Sequence, residues 1–418
     1  MKAISFKTVK LLFVLVLLGS SFSLLADALP GFRTISGVVR DKSSRKKLEQ
    51  VSVFIPGTGI GTVTNADGFF SIKIADSIQA KTLEVSHIGY FNYRMPIKKE
   101  NIEDVRIYLM PNSLLLKEVI IEGAEPLRLV ENAIKRIAVN NSPRANILTG
   151  FYRETIKKRR KYINISEAVL NIYKTPYTTK RVSGDRIQIY KGRKLLSPRL
   201  QDTLIVKLVG GPNLSIYLDV VKNPDLLLDL SSLFYYRFRM DKSVMINDRL
   251  HFVVNFEPQV TLPYALFYGK LYIDQQTLTF SRAELYTCMD DRNKVTQAIL
   301  KKKPYKLRFK PEKISYLITY KEDNGVSYLN YIRTEFDFRC DWKRKLFSTK
   351  YAVVSEMVVT DKQQNEVAKI PWKLAFNEKH SLSDEVNAFY DPNFWEDYNI
   401  IEPTESLEKA VNKLKKNR

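Results

Sequence analysis

The stretch from about Arg33 to Glu122 constrains the possible fold more strongly than any other part of the chain. Short segments alternate between apolar and polar side chains, and turn signals separate them about every 8–12 residues. In "VSVFI", for example, Val51, Val53 and Ile55 share one strand face. No helical period competes with this alternation. The pattern predicts a β-sandwich of short strands.

Five segments of this stretch occur in the order and spacing of a known domain family. They are "ISGVVRD" (35–41), "LEQVSVFIPGTGIGTVTNADGFFSI" (48–72), "LEVSHIGY" (83–90), "VRIYLMP" (105–111) and "LKEVIIEG" (116–123). They resemble the carboxypeptidase-regulatory-like domain of Bacteroidetes envelope proteins. The resemblance implies a seven-stranded, prealbumin-like Greek-key β-sandwich, which we expect over residues 29–123. It also implies a non-catalytic module, because the family is named after the domain that follows a zinc carboxypeptidase.

The segment "GTVTNADGFFSI" in this family pattern combines an amide, an acid and glycines. Asp67 is its only acidic residue, so it lacks the alternating acids of an EF-hand calcium loop. A phosphate loop would lead into a helix, whereas "FFSIKI" has the alternation of a strand. Asn65 and Asp67 can bond to their own backbone, and Gly68 can adopt positive φ. We therefore interpret the segment as a hairpin turn without catalytic groups.

The chain lacks the zinc-ligand pattern of the carboxypeptidases. None of its three histidines, His87, His251 and His380, is followed three residues later by glutamate. There is also no G-x-S-x-G motif and no P-loop. We therefore expect no zinc peptidase activity, and the motifs predict no catalytic residue, no metal and no cofactor. A Ser-His-Asp set is defined by geometry, and sequence order does not reveal it.

The apolar period changes after residue 124. Leu127, Val130, Ile134 and Ile137 recur at helical spacing, Pro126 suits a first turn, and "NNSP" ends the pattern. This segment predicts a helix that packs against the region that follows it.

The region from about residue 149 to residue 371 is rich in long alternating segments that follow one another with few helices. Turn signals such as "DQQT" and "EDNG" join several of them, which favours an antiparallel sheet or partial barrel. "GKLYIDQQTLTFSRAEL" resembles a hairpin of periplasmic lipoprotein-carrier proteins, and that resemblance implies a curved sheet around an apolar cavity. We expect a mostly β chain, with a helix and a large curved antiparallel sheet over residues 124–418.

The chain ends in a segment with helical periodicity, "TESLEKAVNKLKK". Leu407, Ala410, Val411 and Leu414 form its apolar stripe, and the charges suit the helix dipole. A basic amphipathic helix can lie on a membrane. Because this stripe is narrow and short, we expect the helix to dock on the protein's own sheet.

Residues 1–28 have the pattern of an export signal. Three lysines precede the apolar run "LLFVLVLLGSSFSLLA", which is shorter than a membrane span, and Ala26 and Ala28 offer a cleavage site. An uncleaved anchor is the alternative. The segments "GFYRE", "SEAVLNIYKTPY" and "DPNFWEDYNIIEP" resemble uncharacterised Bacteroidetes envelope proteins, which implies an exported protein of the periplasm or outer membrane.

The chain is strongly basic, with a formal charge of +22. Loss of residues 1–28 removes three lysines and one aspartate and leaves +20. Such a charge favours anionic partners, which for an exported protein are anionic lipid, lipopolysaccharide or an envelope protein rather than nucleic acid. The densest basic runs are 157–161, 301–313 and 413–418. These runs have two interpretations: they are solvated surfaces that keep the protein soluble, or they form an anion-binding patch. Peripheral association with a membrane is compatible with the second.

The remaining candidate residues are two cysteines and several acids. An oxidising compartment would permit a disulfide between Cys288 and Cys340, but the alternation around Cys340 favours a buried apolar role. Asp290 and Asp291 lie in a turn-like stretch. "YDPNFWEDYN" places acids beside aromatics, so Glu396 and Asp397 could serve a sugar groove; the alternative is that Phe394 and Trp395 plug the sheet while the acids cap a turn.

Two functions are compatible with these patterns. The first is a non-catalytic exported envelope protein that binds a lipid, glycan or protein partner through its sheet domain. The second is a glycan-acting hydrolase with an unfamiliar acidic site. A TonB-dependent transporter is disfavoured, because its barrel needs about 22 strands and the residues after Gly123 are too few.

Overall fold

The computed structural model describes residues 31–112, 125–179, 182–199, 202–342, 347–363, 367–388, 394–396 and 398–416. The predicted export signal, the segment "LKEVIIEG" and Asp397 lie outside the described residues. So does the expected boundary between residues 123 and 124, which stays a prediction.

The first seven strands form two facing sheets, in the orders β4-β1-β7 and β3-β2-β5-β6. Their apolar faces meet in one core that includes Ile35, Val53, Phe70 and Ile107. The predicted seven-stranded sandwich is therefore confirmed. The strands are β1 (Phe32–Asp41), β2 (Ser52–Phe54), β3 (Gly61–Val63), β4 (Phe69–Ala75), β5 (Thr82–Ser86), β6 (Tyr93–Pro96) and β7 (Ile102–Leu109).

Helix α1 (Pro126–Asn140) follows, with proline in its first turn as the sequence predicts. It ends where the backbone N–H of Asn141 donates to the carbonyl of Ile137. Val130 and Ile134 are buried in the core of the large sheet, so the expected packing of this helix is confirmed.

A large open sheet forms the rest of the molecule. Its order is β12-β13-β14-β15-β17-β18-β19-β8-β9-β10-β20, and ten of its strands pair antiparallel, whereas the two-residue β20 pairs parallel with β10. The expected unclosed antiparallel sheet is thus confirmed. Its strands are β8 (Asn146–Lys158), β9 (Lys161–Lys174), β10 (Arg186–Leu196), β12 (Tyr236–Ile246), β13 (Arg249–Pro258), β14 (Phe267–Asp274), β15 (Phe280–Thr287), β17 (Leu307–Asp323), β18 (Val326–Trp342), β19 (Thr349–Gln363) and β20 (Asn387–Ala388).

Shorter elements lie beside this sheet. Strands β11 (Lys207–Leu208) and β16 (Leu300–Lys302) form a small separate pair. The remaining α-helices are α2 (Pro212–Tyr217), α3 (Arg292–Ile299), α4 (Leu382–Glu385) and α5 (Glu405–Lys416).

The two faces of the large sheet are covered by different parts of the chain. The inner face packs against α1, α2, α3 and the segment between α2 and β12. The outer face packs against the sandwich and the C-terminal tail, in a cluster that includes Val63, Phe151, Tyr331, Val358 and Ile401. A cavity forms between the inner face and its covering segment.

The hairpin turn 65–68 of the sandwich also holds the C-terminal tail. Gly68 has φ +70° and closes the turn by donating its N–H to the carbonyl of Asn65, so the predicted hairpin is present. The Asn65 side-chain amide donates to the carbonyl of Pro403 at 2.9 Å. The carboxylate of Asp67 accepts from the backbone N–H of Glu405 at 2.9 Å. The polar side chains therefore hold the C-terminal tail as well as the turn.

Helix α5 docks on the sheet, as the sequence predicts. Leu407 and Leu414 are buried against Ile165 of β9 and Leu195 of β10. Among the described residues, no helix is long and apolar enough to cross a membrane. Both cysteines are free, and Cys340 is buried.

Candidate functional site

A cavity of about 710 Å³ lies between the inner face of the large sheet and residues 209–235, which we call the plug segment. The plug segment contains α2 and two short 3-10 turns, and it runs back over the sheet before β12 begins. Strands β12, β14, β15, β17 and β18 contribute the opposite wall.

The cavity wall is predominantly apolar and aromatic. Because these side chains come from both the plug segment and the sheet, the cavity exists only where the two elements meet. The apolar lining residues are Leu214, Tyr217, Leu218, Leu226, Leu227, Tyr235, Tyr236, Leu266, Phe267, Ile299, Tyr316 and Phe336.

The cavity reaches the surface at a rim of partly exposed side chains. Tyr217 and Tyr264 are each about half exposed, at 50% and 54%. The Lys301 ammonium donates to the backbone carbonyl of Glu378 at 3.0 Å at the same rim. An amphiphile could therefore place its apolar part inside while its polar end stays at the rim.

Two buried phenols in the wall, Tyr236 and Tyr316, stay neutral. Burial raises the pKa of Tyr236 to about 12 and the pKa of Tyr316 above its usual value. Each phenol is therefore an uncharged hydrogen-bonding group. The acidic lining residues Asp225, Asp229 and Glu378 lie toward the surface, where Asp229 accepts from the Ser231 hydroxyl. This wall is suited to bind an apolar ligand and shows no paired acid and base.

A buried ionic cluster anchors the plug segment to the sheet. The Asp219 carboxylate accepts from Lys174 Nζ at 2.9 Å, from the Tyr177 hydroxyl at 2.8 Å and from the Tyr320 hydroxyl at 2.9 Å. Lys174 Nζ also lies 2.7 Å from Asp185. Asp219 is in the plug segment, whereas Lys174 is the last residue of β9 and Tyr320 lies three residues before the end of β17.

The protonation states of this cluster follow from burial and charge. Burial alone lowers the pKa of Lys174, but the carboxylates of Asp185 and Asp219 outweigh that effect and raise it above its usual value. Burial and the charge of Asp219 raise the pKa values of Tyr177 and Tyr320 well above normal. The cluster is therefore a charged lysine held by two acids and surrounded by neutral phenols.

Lys222 makes a second contact from the plug segment. Its ammonium donates to the backbone carbonyls of Pro176 and Thr179, the latter at 2.6 Å. Burial lowers the pKa of Lys222 to about 8. Together with Asp219, this lysine fixes the plug segment beside the 175–179 turn.

None of the motifs in the sequence predicts this cluster, but the sequence of β9 contains one indication of it. In β9, Ala168, Leu170 and Ile172 face the core at every second position. Lys174 is the next residue in this alternation, so a lysine stands on the core-facing side of the strand. A charge on that side must meet a buried counter-charge. The identity of its partner, 45 residues away, is not readable from local pattern.

The acidic candidate Glu396 near the C-terminus lies at the surface and does not line the cavity. Trp395 is buried on the outer face of the sheet and meets Phe151 edge-on, with ring centroids 5.4 Å apart. Glu396 is exposed and pairs with Lys191 at 2.8 Å. The described part of this segment thus covers the sheet, and Asp397 lies outside the described residues.

Asp290 and Asp291 have local structural roles. Asp291 is the N-cap of α3, and its carboxylate accepts from the backbone N–H groups of Asn293 and Lys294. Asp290 is exposed and accepts from the Cys288 thiol at 2.9 Å. Neither acid faces the other across a cleft.

The three histidines occupy separate places. His251 accepts from the Ser281 hydroxyl at Nε2, and its Nδ1 faces the backbone carbonyl of Arg249. The Asp274 carboxylate lies 3.8 Å from Nε2 and pairs with Arg249 at 3.0 Å. A backbone carbonyl therefore stands at Nδ1, where a Ser-His-Asp triad needs a carboxylate. Within the described ranges, no group of three or more His, Cys, Asp and Glu side chains could hold a metal ion.

Several solved structures are similar to the chain at low identity. A DUF1329 family protein from Desulfovibrio piger is 10% identical, with 58% of this chain and 95% of that chain covered and a TM-score of 0.26. A LolA superfamily protein from Nitrosomonas europaea is 11% identical, with 60% and 99% covered and a TM-score of 0.21. MucB in complex with MucA(peri) is 11% identical, with 57% and 100% covered and a TM-score of 0.20.

A search of curated proteins found no significant match to the chain. Residues 35–121 match the family model of the CarboxypepD_reg-like domain, and this match confirms the resemblance drawn from the sandwich segments.

Proposed function

We propose that this chain is a non-catalytic exported envelope protein that holds the acyl chains of a lipid in the cavity under the plug segment. The observation that carries the proposal is the apolar cavity of about 710 Å³, which falls in the size range of small-molecule sites. Each buried methylene contributes about 0.8 kcal/mol, so a chain of roughly ten methylenes gains enough to bind stably.

The polar and charged side chains at the rim favour an amphiphilic ligand over a purely apolar one. The wall is apolar and holds neutral phenols, whereas Lys301 and the acids lie at the surface. A lipid or lipopolysaccharide could thus bury its acyl part and leave its headgroup in water. Binding of an apolar segment of an envelope protein is the alternative within the same function.

The proposal includes a location and a domain division. Residues 1–28 would be removed on export, residues 29–123 would form the sandwich domain, and residues 124–418 would form the ligand-binding domain. The mature protein would then work in the periplasm or at the outer membrane. N-terminal sequencing of the protein from an envelope fraction tests both the cleavage site and the location.

A non-catalytic role is the better supported one. The absence of an H-x-x-E motif argues against zinc carboxypeptidase activity. Glu396 is a surface ion-pair partner, and no described acids are paired across the cavity. Hydrolysis of an envelope glycan that is abolished by Glu396→Gln would favour the hydrolase alternative.

The direct test is extraction of the full chain after expression with its leader and mild purification. We expect lipid in the organic extract, detected by mass spectrometry at a constant ratio to protein. We also expect the delipidated protein to bind a fluorescent fatty acid and to release it when the native lipid is added. Protein that purifies without lipid and does not take up the probe would contradict the proposal.

A cavity-filling variant assigns the binding to this cavity. Ala265 lines the cavity, so the larger side chain of Ala265→Trp should fill part of the cavity. We expect probe binding to weaken at least about ten-fold, because a ten-fold loss corresponds to about two buried methylene groups of the probe. Ala138→Trp makes the same change on the exposed side of α1 and should bind like the wild type. Equal binding by both variants would exclude the cavity as the site.

A further inference from the structure

Two basic runs that are far apart in the sequence meet at one end of the large sheet. The turn between β8 and β9 contains Arg159, and its N–H donates to the carbonyl of Lys350 at the start of β19. Cys340 near the end of β18 pairs with Thr349, and Trp342 pairs with Leu307, where β17 begins. The strands concerned, from β17 to β9, are neighbours in the sheet. Since neighbouring strands lie about 4.8 Å apart, their ends form one continuous surface roughly 15–20 Å wide at this end of the sheet.

The cations at this end of the sheet fall into two sets. The first set forms ion pairs: Lys158 with Asp202, Lys310 with Asp341, Arg339 with Glu312 and Lys350 with Asp337. A second set is exposed, and no described carboxylate forms an ion pair with any of its members. We call this set the basic tip, and it consists of Arg159, Arg160, Lys161, Lys302, Lys303, Lys306 and Arg308.

Two aromatic side chains project beside the basic tip. Tyr305 is 87% exposed and Phe347 is 81% exposed, which makes them the most exposed large apolar or aromatic side chains of the described residues. Tyr305 lies between the tip residues Lys303 and Lys306, and Phe347 lies two residues before Thr349, the first residue of β19. Exposed aromatics among unpaired cations are typical of surfaces that enter the interfacial layer of a membrane.

The basic tip lies next to the rim of the cavity. Lys301 lines the rim, and the tip residues Lys302 and Lys303 follow it directly. The cavity wall residues Phe267 and Thr287 lie at the ends of β14 and β15 that point toward this end of the sheet, and Tyr286 pairs there with Ser315, midway along β17. A surface bound by the tip would therefore lie close to the cavity entrance.

We propose that the basic tip, with Tyr305 and Phe347, docks the protein on a membrane surface that carries anionic lipid headgroups. The cations neutralise lipid phosphates, and the two aromatic rings enter the interface. The charge of the tip selects an anionic surface, and the aromatic rings favour a bilayer over a dissolved polyanion. This docking goes beyond acyl-chain binding and does not depend on it.

The test is flotation of the full-length mature protein with vesicles. We expect binding to vesicles of phosphatidylcholine mixed with phosphatidylglycerol, weak binding to phosphatidylcholine alone, and loss of binding as salt rises. Equal binding to both vesicle types would overturn the proposal.

A matched pair of charge-reversal variants locates the surface. The tip variant carries Arg159→Glu, Arg160→Glu, Lys302→Glu and Lys306→Glu, and it should bind at least about 100-fold more weakly, since each basic residue contributes roughly five-fold. The control variant makes the same change in net charge on the sandwich, with Lys42→Glu, Lys81→Glu, Lys98→Glu and Lys99→Glu, all at exposed positions. It should keep most of the binding, and equal losses in the two variants would contradict a localised surface.

A third variant separates a bilayer from a soluble polyanion. Tyr305→Ser with Phe347→Ser leaves the charge unchanged and should weaken vesicle binding roughly ten-fold through lost aromatic burial. Binding to dextran sulfate should not change. Unaltered vesicle binding by this variant would overturn membrane docking in favour of simple polyanion binding. The tip variant should still bind the fluorescent fatty acid in the absence of vesicles, so failure of docking is distinguishable from failure of the cavity proposal.

Discussion

The carboxylate of Asp67 accepts a hydrogen bond from the backbone N–H of Glu405, 338 residues later in the chain. Glu405 is the first residue of α5, so a turn of the sandwich supplies an acceptor for the first turn of the C-terminal helix. An acid at this place satisfies a free N–H group and complements the positive end of the helix. The sandwich thereby stabilises the helix that covers β9 and β10.

Replacement of Asp67 should loosen helix α5. We expect Asp67→Ala to lower the free energy of unfolding by about 1 kcal/mol, the usual value of a helix N-cap. Hydrogen exchange measured by mass spectrometry should show faster exchange in residues 405–416. Glu100→Ala removes an exposed acid elsewhere on the sandwich and serves as the control. Unchanged exchange in the helix would show that the contact has no stabilising effect.

The buried cluster around Asp219 should be essential for the plug segment. Asp219→Asn leaves the buried ammonium of Lys174 with one acid instead of two, and removal of a partner from a buried ion pair costs about 3–5 kcal/mol. We expect a loss of this size in urea denaturation. Removal of all three charges by Lys174→Met, Asp185→Asn and Asp219→Leu should recover part of it, because neither an unpaired lysine nor an unpaired acid of the cluster remains. A triple variant that is as unstable as the sum of the three single variants would contradict this account.

The tryptophan on the outer face should contribute far more than the exposed one. Trp395→Ala removes a buried ring from the contact with Phe151 and should cost about 3–5 kcal/mol in chemical denaturation. Trp372 is 69% exposed and stacks on Arg186, so Trp372→Ala should cost about 0.5–1 kcal/mol. Similar losses in both variants would show that the tail does not bury Trp395 in solution.

Stability should fall in mild acid because His87 stays neutral in the folded protein. Burial and the nearby charge of Arg282 lower the pKa of His87 to about 4, whereas the unfolded chain takes up this proton below about pH 6.5. The unfolded state therefore binds more protons between these values, and the free energy of unfolding decreases as the pH falls from 6.5 to 4. The loss reaches about 3 kcal/mol at most.

The variant His87→Gln should remove this part of the pH dependence. Urea denaturation at several pH values between 4 and 7 measures the difference between variant and wild type. His380 is exposed and pairs with Glu385, so His380→Gln is the matched control and should keep the wild-type slope. A wild-type slope in His87→Gln would contradict the assignment.

Local pattern was sufficient to predict many of the longer elements of this protein, although it did not predict helices α2 and α3. Strands β1 to β7, helix α1, the hairpins at 274–277 and 322–325 and the apolar stripe of α5 follow from alternation, helical spacing and turn residues, all of which act within a few residues of one another. At the 322–325 turn, for instance, Asn324 and Gly325 have positive φ, which their residue types favour.

The sequence by itself determined the β-rich class, the sandwich module and the positions of most strands, because these depend on short-range periodicity. Only the tertiary structure decided which surfaces meet. It places Asp219 beside Lys174 and brings the basic runs 157–161 and 301–313 together at one end of the large sheet. It also brings the plug segment over the sheet to form the cavity. Those relations depend on strand order and on burial across long separations, and charge or apolar character at a single position does not specify its distant partner.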